Sequence, residues 1–397
     1  MSEWKTIAAE EYCDSVRDGT HDTPKQVDKG YKLVTAKHIN NGQIDLSDAY
    51  LISEKDYIKI CERSKVEKWD VLMSMIGNGL GKSAVVKDNP EYAIKNLALF
   101  KIGDEMRAKW LHYYLSSKSG QGYIYNSLQG SGQPFISLFV LRKFPIPILE
   151  DESTMRDIVN NLSRYDSLIE NYQKQIKLLE EAAQRLYKEW FVDLRFPGYE
   201  NTKIVDGVPE GWKKGVLNDI AYESGKKVDK KNRDYYNYYL PIDCLPKHSL
   251  TYLTPANISL AESSLVSFEE NDIIFGAMRP YFHKVCFAQS NGLTRTTCFV
   301  LNSKENEYRE YLLMLLFEDS TVKHATSISV GTTMPYTRWK EFKSMEIIIP
   351  AKEIAVVFGK QISRITNVLN KLSSQIRLLI EARDRLLPKL MGGEIEV

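Results

Sequence analysis

The chain has 397 residues, 43% hydrophobic and 26% charged, which is typical of a globular protein and excludes a fibrous or wholly disordered chain. Its 53 Lys and Arg residues balance 52 Asp and Glu residues at a net charge of +1, so nucleic-acid binding would have to depend on local basic patches. Five scattered cysteines without a Cys-x-x-Cys pair, a start without the features of a signal peptide and the lack of a long apolar run predict a reduced, cytoplasmic protein without a membrane span.

In chain order, short β-like runs and helical stretches occupy two parts of the sequence. Runs bounded by turn residues predict strands at residues 31–34, 71–74, 273–275 and 346–349. Helices are predicted at residues 104–116 and 307–317. The fold class is therefore predicted as α+β, with one globular domain over residues 1–150 and a linker and second domain over residues 196–349.

A longer helical pattern follows each globular part, over residues 151–195 and 350–397. Apolar residues recur in alternating steps of 4 and 3 from Ile158 to Trp190 and again from Phe358 to Leu390, where Arg383 is the interruption. An apolar period of 3.5 residues held over about 36 residues predicts a coiled-coil seam about 50 Å long. Pro388 and Gly392-Gly393 predict where the second helix stops.

The two halves of the chain are an internal repeat. Residues 175–186 and 375–386, offset by 200, share eight of twelve residues. Upstream, Trp4-Lys5 is echoed by Trp212-Lys213, and Asp70-Val71-Leu72 by Asp272-Ile273-Ile274. The repeat predicts an arrangement of domain, helix, domain, helix.

The direction of the helices follows from the connection between them. The Pro- and Gly-rich segment from Phe196 to Gly211 predicts a domain boundary. Because the termini of a compact domain often lie close together, the second helix should start near the end of the first and run back beside it. Pairing within the chain is favoured over self-association of identical chains. We therefore predict two globular domains separated by an antiparallel two-helix coiled coil and related by a pseudo-two-fold axis.

The motifs of catalysis are incomplete. Gly77-Asn78-Gly79-Leu80-Gly81-Lys82-Ser83 misses the spacing of a phosphate-binding loop by one residue and is predicted to be a hairpin turn. Asn89-Pro90-Glu91-Tyr92 lacks the second proline of an adenine methyltransferase motif. The six histidines show no short metal-binding spacing, so no metal site is predicted. The sequence favours a binding protein over an enzyme.

Basic residues interleaved with aromatic and amide residues predict DNA contacts, since Lys and Arg neutralise phosphates and Arg can grip guanine. The alternative is a solvated loop beside core tyrosines. The first-half candidates are Lys25, Lys37, His38, Asn40, Asn41, Lys82, Gln129, Ser131 and Gln133. The second-half candidates are Lys226, Lys227, Lys230, Arg233, Tyr235, Arg279, Tyr281, His283, Lys284, Arg295, Thr332 and Thr333.

Over its whole length the sequence resembles the specificity subunit of type I restriction-modification enzymes. The resemblance is most specific at residues 182–198, which match the central conserved segment of that family, and at 386–395, which match its usual ending. Gly331-Thr332-Thr333-Met334-Pro335-Tyr336 and Gly130-Ser131-Gly132-Gln133-Pro134 resemble the segments that precede the helices.

The resemblance implies two target-recognition domains that bind double-stranded DNA, and no catalytic residues in this chain. It also implies assembly with two methyltransferase subunits, and with restriction subunits for cleavage. S-adenosylmethionine would then belong to the methyltransferase partner, so no cofactor is expected on this chain. The methyltransferase-docking candidates in the two conserved segments are Arg185, Tyr187, Trp190, Phe191, Arg385, Leu387 and Leu390.

A mechanism follows from these expectations. Each domain would read a short half-site in the major groove, and the helices would set an unread spacer of about one turn of DNA. Because the domains differ in sequence, the site should be asymmetric, and the near-neutral chain alone should bind DNA weakly and in a salt-sensitive way. Two rivals remain open: a coiled-coil scaffold that recruits a protein partner, and a chain that is itself a methyltransferase or nuclease, which the missing cofactor loop disfavours.

Overall fold

The computed structural model describes residues 4–40, 42–130 and 132–395 and shows an α+β protein, as predicted. The chain divides into two compact units. The first unit comprises the residues up to Ser167 together with the C-terminal segment from Glu381, and the second comprises Leu168–Ile380. The five cysteines are all free.

The elements up to the first long helix are short strands and helices. The strands are β1 (Trp4–Ala8), β2 (Ser15–Asp18), β3 (Tyr31–Val34), β4 (Ile39–Asn40), β5 (Gln43–Ile44), β6 (Leu51–Ile52), β7 (Val71–Ser74), β8 (Ser83–Val85), β9 (Tyr92–Ile94), β10 (Leu97–Lys101) and β11 (Pro145–Leu149). The helices are α1 (Ala9–Tyr12), α2 (Glu54–Ser64), α3 (Glu105–Ser116), α4 (Lys118–Asn126), α5 (Leu138–Arg142) and the long α6 (Glu152–Tyr187), which a π-helical turn continues over Lys188–Val192.

The remaining elements follow a similar order. The strands are β12 (Ile204–Val205), β13 (Val208–Pro209), β14 (Lys213–Val216), β15 (Ala221–Glu223), β16 (Lys227–Val228), β17 (Leu265–Phe268), β18 (Ile273–Gly276), β19 (Val285–Phe287), β20 (Gly292–Arg295), β21 (Cys298–Ser303) and β22 (Glu346–Ile349). The helices are α7 (Leu217–Ile220), α8 (Arg309–Phe317), α9 (Asp319–Ser327), α10 (Trp339–Phe342) and the long α11 (Lys352–Met391).

The sequence repeat is a structural repeat. The main sheet of the first unit has the order β2-β10-β7-β8 and that of the second has the order β15-β21-β18-β19, and the pair β1-β11 is matched by β14-β22. The buried carboxylates of Asp70 and Asp272 accept hydrogen bonds from the backbone N–H of Glu67 (2.7 Å) and Glu269 (2.8 Å), respectively. The same turn therefore precedes the inner strand β7 in the first unit and the inner strand β18 in the second, and we call each of these the central strand of its sheet.

The units differ in their smaller sheets. The first unit has β6-β3-β9, in which β3 and β9 are parallel, whereas the second has the antiparallel sheet β16-β17-β20. The two units therefore share the main four-stranded sheet and the two-stranded pair, and they differ in the smaller sheets.

The two long helices pair antiparallel. In the first unit, Asp166 of α6 contacts Arg383 of α11, and in the second, Trp190 beyond the end of α6 contacts Phe358 near the start of α11, with ring centroids 5.6 Å apart. Residues later in the first helix therefore contact residues earlier in the second, as antiparallel pairing requires. Each unit's core contains residues of both helices.

Arg383, the interruption in the apolar seam, has a matched partner. Its Nη1 donates to Asp166 Oδ1 at 2.7 Å, and the Tyr113 hydroxyl donates to Asp166 Oδ2 at 2.5 Å. Both charged side chains are less than a quarter exposed. A paired polar group at one seam position opposes slippage of the helices, because any shift in register separates Arg383 from Asp166 and leaves it only Asp384 of its own helix.

The predicted end of α11, marked by Pro388 and Gly392-Gly393, is confirmed at the glycines. Proline lacks the N–H that would bond to the preceding turn, yet the helix continues to Met391. The side chains of Leu387, Leu390 and Met391 are buried in the core of the first unit, and this packing holds the last turn. The helix then ends at the predicted glycines, with Gly393 at φ +71°.

The segment predicted as a boundary, Phe196–Gly211, belongs to the second unit. Phe196 and Trp212 are buried with ring centroids 4.8 Å apart, and Phe191 packs on Trp212 at 5.7 Å. These aromatic contacts hold the segment against the core of that unit.

The carboxyl of Glu180 is buried where α6 meets the segment 249–251. Glu180 Oε1 accepts hydrogen bonds from Ser249 Oγ and the backbone N–H of Leu250, both at 2.8 Å. Burial nevertheless raises the pKa of this carboxyl to about 7, because the charged form loses its hydration.

We expect Asp166→Ala to destabilise the protein by about 1–3 kcal/mol, because it removes the partner of Arg383 on α6 and leaves the guanidinium only Asp384 of its own helix. The double variant Asp166→Leu/Arg383→Leu should recover most of this loss, since apolar residues suit the seam. Urea unfolding of the full chain measures both. Arg385→Ala, which removes an exposed ion pair with Glu381, is the control and should change little. A double variant no more stable than Asp166→Ala would contradict the pairing.

We expect the stability of the second unit to fall as the pH rises from about 5 to 7.5. A carboxyl with a pKa of about 7 in the fold and an ordinary value of 4.5 when unfolded holds its proton more tightly in the fold. The stabilisation is therefore complete below pH 4.5 and lost as the pH passes 7, a change of at most about 3 kcal/mol. Glu180→Gln should flatten the pH profile of thermal unfolding, whereas Glu181→Gln should leave it unchanged. Parallel profiles for the wild type and Glu180→Gln would refute this.

Candidate nucleic-acid interface

A tight loop occurs at the same place in each unit, and we call these the recognition loops. The first spans residues 129–135 and the second residues 330–336. In each, the first and last residues exchange backbone hydrogen bonds: Gln129 with Phe135 at 2.9 and 3.0 Å, and Val330 with Tyr336 at 3.0 and 2.9 Å. The sequence resemblance between these segments is thus a shared conformation. Ser131, a predicted DNA contact in the first loop, lies outside the described residues.

A glycine in the left-handed region shapes each recognition loop. Gly130 has φ +88° and Gly331 has φ +105°. A Cβ at Gly130 would lie 3.2 Å from the Gln133 carbonyl oxygen, and one at Gly331 would lie 3.3 Å from that of Met334. Glycine is therefore favoured at both positions by conformation and by space.

Each recognition loop is tied to the turn that follows the central strand. The N–H of Ile136 donates to the Met75 carbonyl at 3.0 Å, and the N–H of Thr337 donates to that of Ala277 at 2.9 Å. The turns themselves are 3₁₀ helices, Gly77–Gly79 and Pro280–Phe282. The predicted hairpin at the failed phosphate-loop motif is confirmed, since β7 and β8 pair antiparallel.

In the second unit, the structure brings several predicted contacts together around the second recognition loop. Arg279 donates its backbone N–H to Pro335 (2.7 Å), and its Nη2 lies 3.3 Å from the Thr333 carbonyl oxygen. Thr332 and Thr333 are exposed, and Tyr281 presents about half of its surface to solvent. A guanidinium, a phenol and two hydroxyls therefore share one surface.

A basic network adjoins this surface. Arg295 Nη2 lies 3.4 Å from Ser263 Oγ. The neighbouring Glu262 pairs with both Lys230 and Arg233, and the Lys230 contact holds the pKa of the Glu262 carboxyl below its ordinary value. Arg233 also donates to the carbonyl oxygens of Ser259 and Ala261. Arg233 therefore braces this surface as well as contributing charge to it.

The most exposed members of this region are residues 226 to 235. The side chains of Lys226, Lys227 and Lys230 are exposed, and Tyr235 is 86% exposed. A ring so fully in water is available to stack or to contact a sugar. Both readings of this cluster, a DNA contact or a solvated loop, fit its exposure.

In the first unit, the corresponding surface is less basic. Lys82 donates to Asn40 Oδ1 at 3.3 Å, and Asn40 donates to the Lys37 carbonyl at 3.0 Å. Lys37 pairs with Asp48 at 3.2 Å, which offsets its charge. Gln129 and Gln133 are exposed on the recognition loop. Asn41, predicted beside Asn40, lies outside the described residues.

Lys25, the remaining first-unit candidate, is exposed in the segment between β2 and β3. It lies in the chain beside a cavity of about 400 Å³, whose lining includes Thr23, Pro24 and Arg63. The structure gives no contact between Lys25 and the recognition loop among the residues it describes.

Two predicted DNA contacts, His38 and His283, are buried, and a third, Lys284, is half-buried. His38 is buried, and its Nδ1 accepts a hydrogen bond from the backbone N–H of Thr35 at 2.8 Å. His283 is buried against α8 and α9. Lys284 donates from Nζ to the Ile242 carbonyl at 2.6 Å, and burial lowers the pKa of its ammonium group. These side chains support the surface rather than form it.

The docking candidates divide in the same way. Tyr187, Trp190 and Phe191 are buried in the second unit's core, and Leu387 and Leu390 in the first's. Arg185 and Arg385, at equivalent positions in the repeat, have side chains 83% and 78% exposed. Among the docking candidates, only the two arginines have exposed side chains.

Sequence reasoning missed several exposed apolar side chains near the recognition loops. Phe139, Val330 and Met334 are more than half exposed. No periodicity marks them, because Val330 and Met334 lie in a loop and Phe139 lies in the short apolar helix α5. The loop repeat was the available signal, since it pointed to the segments that carry two of them.

Among the described residues, no helix is long and apolar enough to cross a membrane. Residues 209–382 match the family model of the Type I restriction modification DNA specificity domain.

Curated relatives extend this similarity along the chain. The type I restriction enzyme MjaIX specificity subunit of Methanocaldococcus jannaschii is 27% identical over 314 residues, 74% of this chain and 70% of that protein. The HindI specificity subunit of Haemophilus influenzae is 24% identical and covers 100% of both chains.

A solved structure shares the fold. The crystal structure of the type I restriction-modification S subunit from M. genitalium aligns over 98% of this chain and 96% of that one, with a TM-score of 0.55 at 16% identity. At this identity, the match supports the architecture of the fold.

Proposed function

We propose that this chain is a type I restriction-modification specificity subunit and that each of its two units reads one half of a bipartite DNA site. The observation that carries the proposal is the pair of recognition loops, built alike and tied to equivalent strand turns. A duplicated surface on a binding protein suits a target read in two parts.

The two half-sites should differ in sequence. The second unit offers Arg279, Arg295 and Tyr281 around its loop, whereas the first offers Lys82, Gln129 and Gln133 there. Arginine suits guanine and glutamine suits adenine in the major groove. Because different side chains surround two recognition loops of the same conformation, we expect the two DNA half-sites to differ.

The family assigns this chain a non-catalytic role in a complex that binds DNA. We propose that its partners are two methyltransferase subunits, with restriction subunits added for cleavage, and that the methyltransferase is adenine-specific and carries S-adenosylmethionine. The exposed Arg185 and Arg385, on equivalent turns of α6 and α11, support one docking face per helix. The buried aromatic and leucine candidates would act by holding these helices in place.

A methylation map tests the proposed reading of DNA. In cells that express the chain with its methyltransferase, we expect a split, asymmetric adenine-methylated motif that disappears when the gene for this chain is deleted. Arg279→Ala should relax specificity in the half-site read by the second unit, at a cost of about 1–3 kcal/mol. The half-site of the first unit should be unchanged.

Lys340→Ala, on the exposed side of α10, is the matched control and should leave both half-sites intact. Methylation that does not depend on this chain would instead support a protein scaffold. Methyl transfer to DNA by the pure chain supplied with S-adenosylmethionine would show that the chain is itself an enzyme.

We also propose that the long helices set the spacer between the half-sites, since α6 and α11 each contribute residues to both units. Seven residues inserted into each helix at the unit boundary keep the seam in phase and add about 10 Å. The mapped spacer should grow by about three base pairs while both half-sites stay the same. An unchanged spacer with altered half-sites would rule out this role.

A further inference from the structure

Three side chains that can bind a metal ion converge in the second unit. His248 follows the 3₁₀ turn Ile242–Cys244, His283 follows the turn Pro280–Phe282, and Asp319 is the first residue of α9. Their candidate ligand atoms all lie within 4.8 Å of one another. Short-spacing searches miss this group because its members are separated by about 35 residues each.

The hydrogen bonds of His283 aim one ring nitrogen at the centre of the group. Nε2 lies 2.9 Å from the Phe317 carbonyl oxygen, so it carries a hydrogen and donates it. Nδ1 then faces Asp319 Oδ1 at 3.1 Å. A ring lone pair and a carboxylate oxygen this close need a proton or a metal ion between them.

The surroundings of His283 favour the metal. Its side chain is 5% exposed, so the surrounding residues hold the ring in one orientation. Metal-bound histidines commonly donate their other ring N–H to a backbone carbonyl, which fixes the ring as Phe317 does here.

The distances suit a small tetrahedral ion. Metal–ligand bonds of about 2.0–2.1 Å at tetrahedral angles place two ligand atoms about 3.3 Å apart, close to the 3.1 Å between His283 Nδ1 and Asp319 Oδ1. The His248 ring centroid lies 4.3 Å from that of His283. Because His248 and Asp319 are exposed, the ion could enter from solvent and keep a water as its fourth ligand.

The backbone holds the two histidines together at some cost. His248 has φ +50° and His283 has φ +49°, and the His248 N–H donates to the His283 carbonyl oxygen at 2.9 Å. Non-glycine residues in the left-handed region are uncommon, and such strain gathers at ligand clamps. Here it brings two imidazoles from distant segments side by side.

We propose that His248, His283 and Asp319 bind one transition-metal ion of the Zn²⁺ class. Two imidazoles and one carboxylate suit Zn²⁺, Co²⁺ or Ni²⁺, whereas Mg²⁺ and Ca²⁺ prefer oxygen ligands alone. The ion would join the segment around His248, the turn ending at His283 and the start of α9. It would therefore brace the turn that carries Tyr281.

The experiment is a titration of the full chain, freed of metal by a chelator, with Zn²⁺ followed by calorimetry. The variants are Asp319→Asn and His248→Gln, both at exposed positions that should tolerate the change. His324→Gln, on the same helix as Asp319 but outside the group, is the matched control. Thermal unfolding with and without Zn²⁺ is recorded for each protein, and circular dichroism checks that each is folded.

We expect the wild type and His324→Gln to bind one Zn²⁺ per chain and to unfold at a higher temperature with it. Asp319→Asn and His248→Gln should each weaken binding by more than about tenfold, since even the loss of an outer partner of a ligand costs 10–100-fold. Equal Zn²⁺ affinity in the wild type and in both variants, or no binding by the wild type, would overturn the proposal and leave an imidazolium–carboxylate pair.

A spectroscopic measurement on the wild type does not depend on the variants. Co²⁺ bound at the group should show the visible absorption of a four-coordinate ion with nitrogen ligands, and Zn²⁺ should displace it. A spectrum of hexa-aquo Co²⁺ at saturating metal would contradict the site.

Discussion

The constraint on which the structure depends is the apolar seam between α6 and α11. Each unit's core takes in part of both helices, so neither unit can complete its core from its globular residues alone. Apolar packing is non-directional, and a uniform seam would tolerate slippage. The Asp166–Arg383 pair fixes the register, because these two side chains meet across the helices in one register only. In the part of α6 that belongs to the second unit, Glu180 Oε1 accepts hydrogen bonds from the segment 249–251 and so holds this segment against the helix.

The internal repeat shows which structural features the two units share and which differ between them. The main sheets, the buried aspartates Asp70 and Asp272 and the paired recognition loops recur in both units. The smaller sheets and the side chains around the loops differ. The proposed reading of two different half-sites requires this division, in which a common frame orients the loops and the residues around each loop differ.

Charge is distributed in keeping with a binding role. Several cations that stood out in the sequence are engaged within the fold: Arg233 and Lys230 with Glu262, Lys37 with Asp48 and Lys284 with a backbone carbonyl. Such pairs orient a surface while reducing its net field, which agrees with an overall charge of +1. The exposed Lys226, Lys227 and Tyr235 are then the members of the second unit most accessible to a nucleic acid.

The sequence by itself determined the repeat, the two long helices, the α+β class and the loops that precede the helices, because periodicity and self-similarity are local properties of the chain. It could not determine the partner of Arg383 on α6, the burial of His38 and His283, or the contact between Lys284 and the Ile242 carbonyl. Each of these depends on residues distant in the chain that meet only on folding. The same holds for His248, His283 and Asp319, which come together because three separate segments pack at one place.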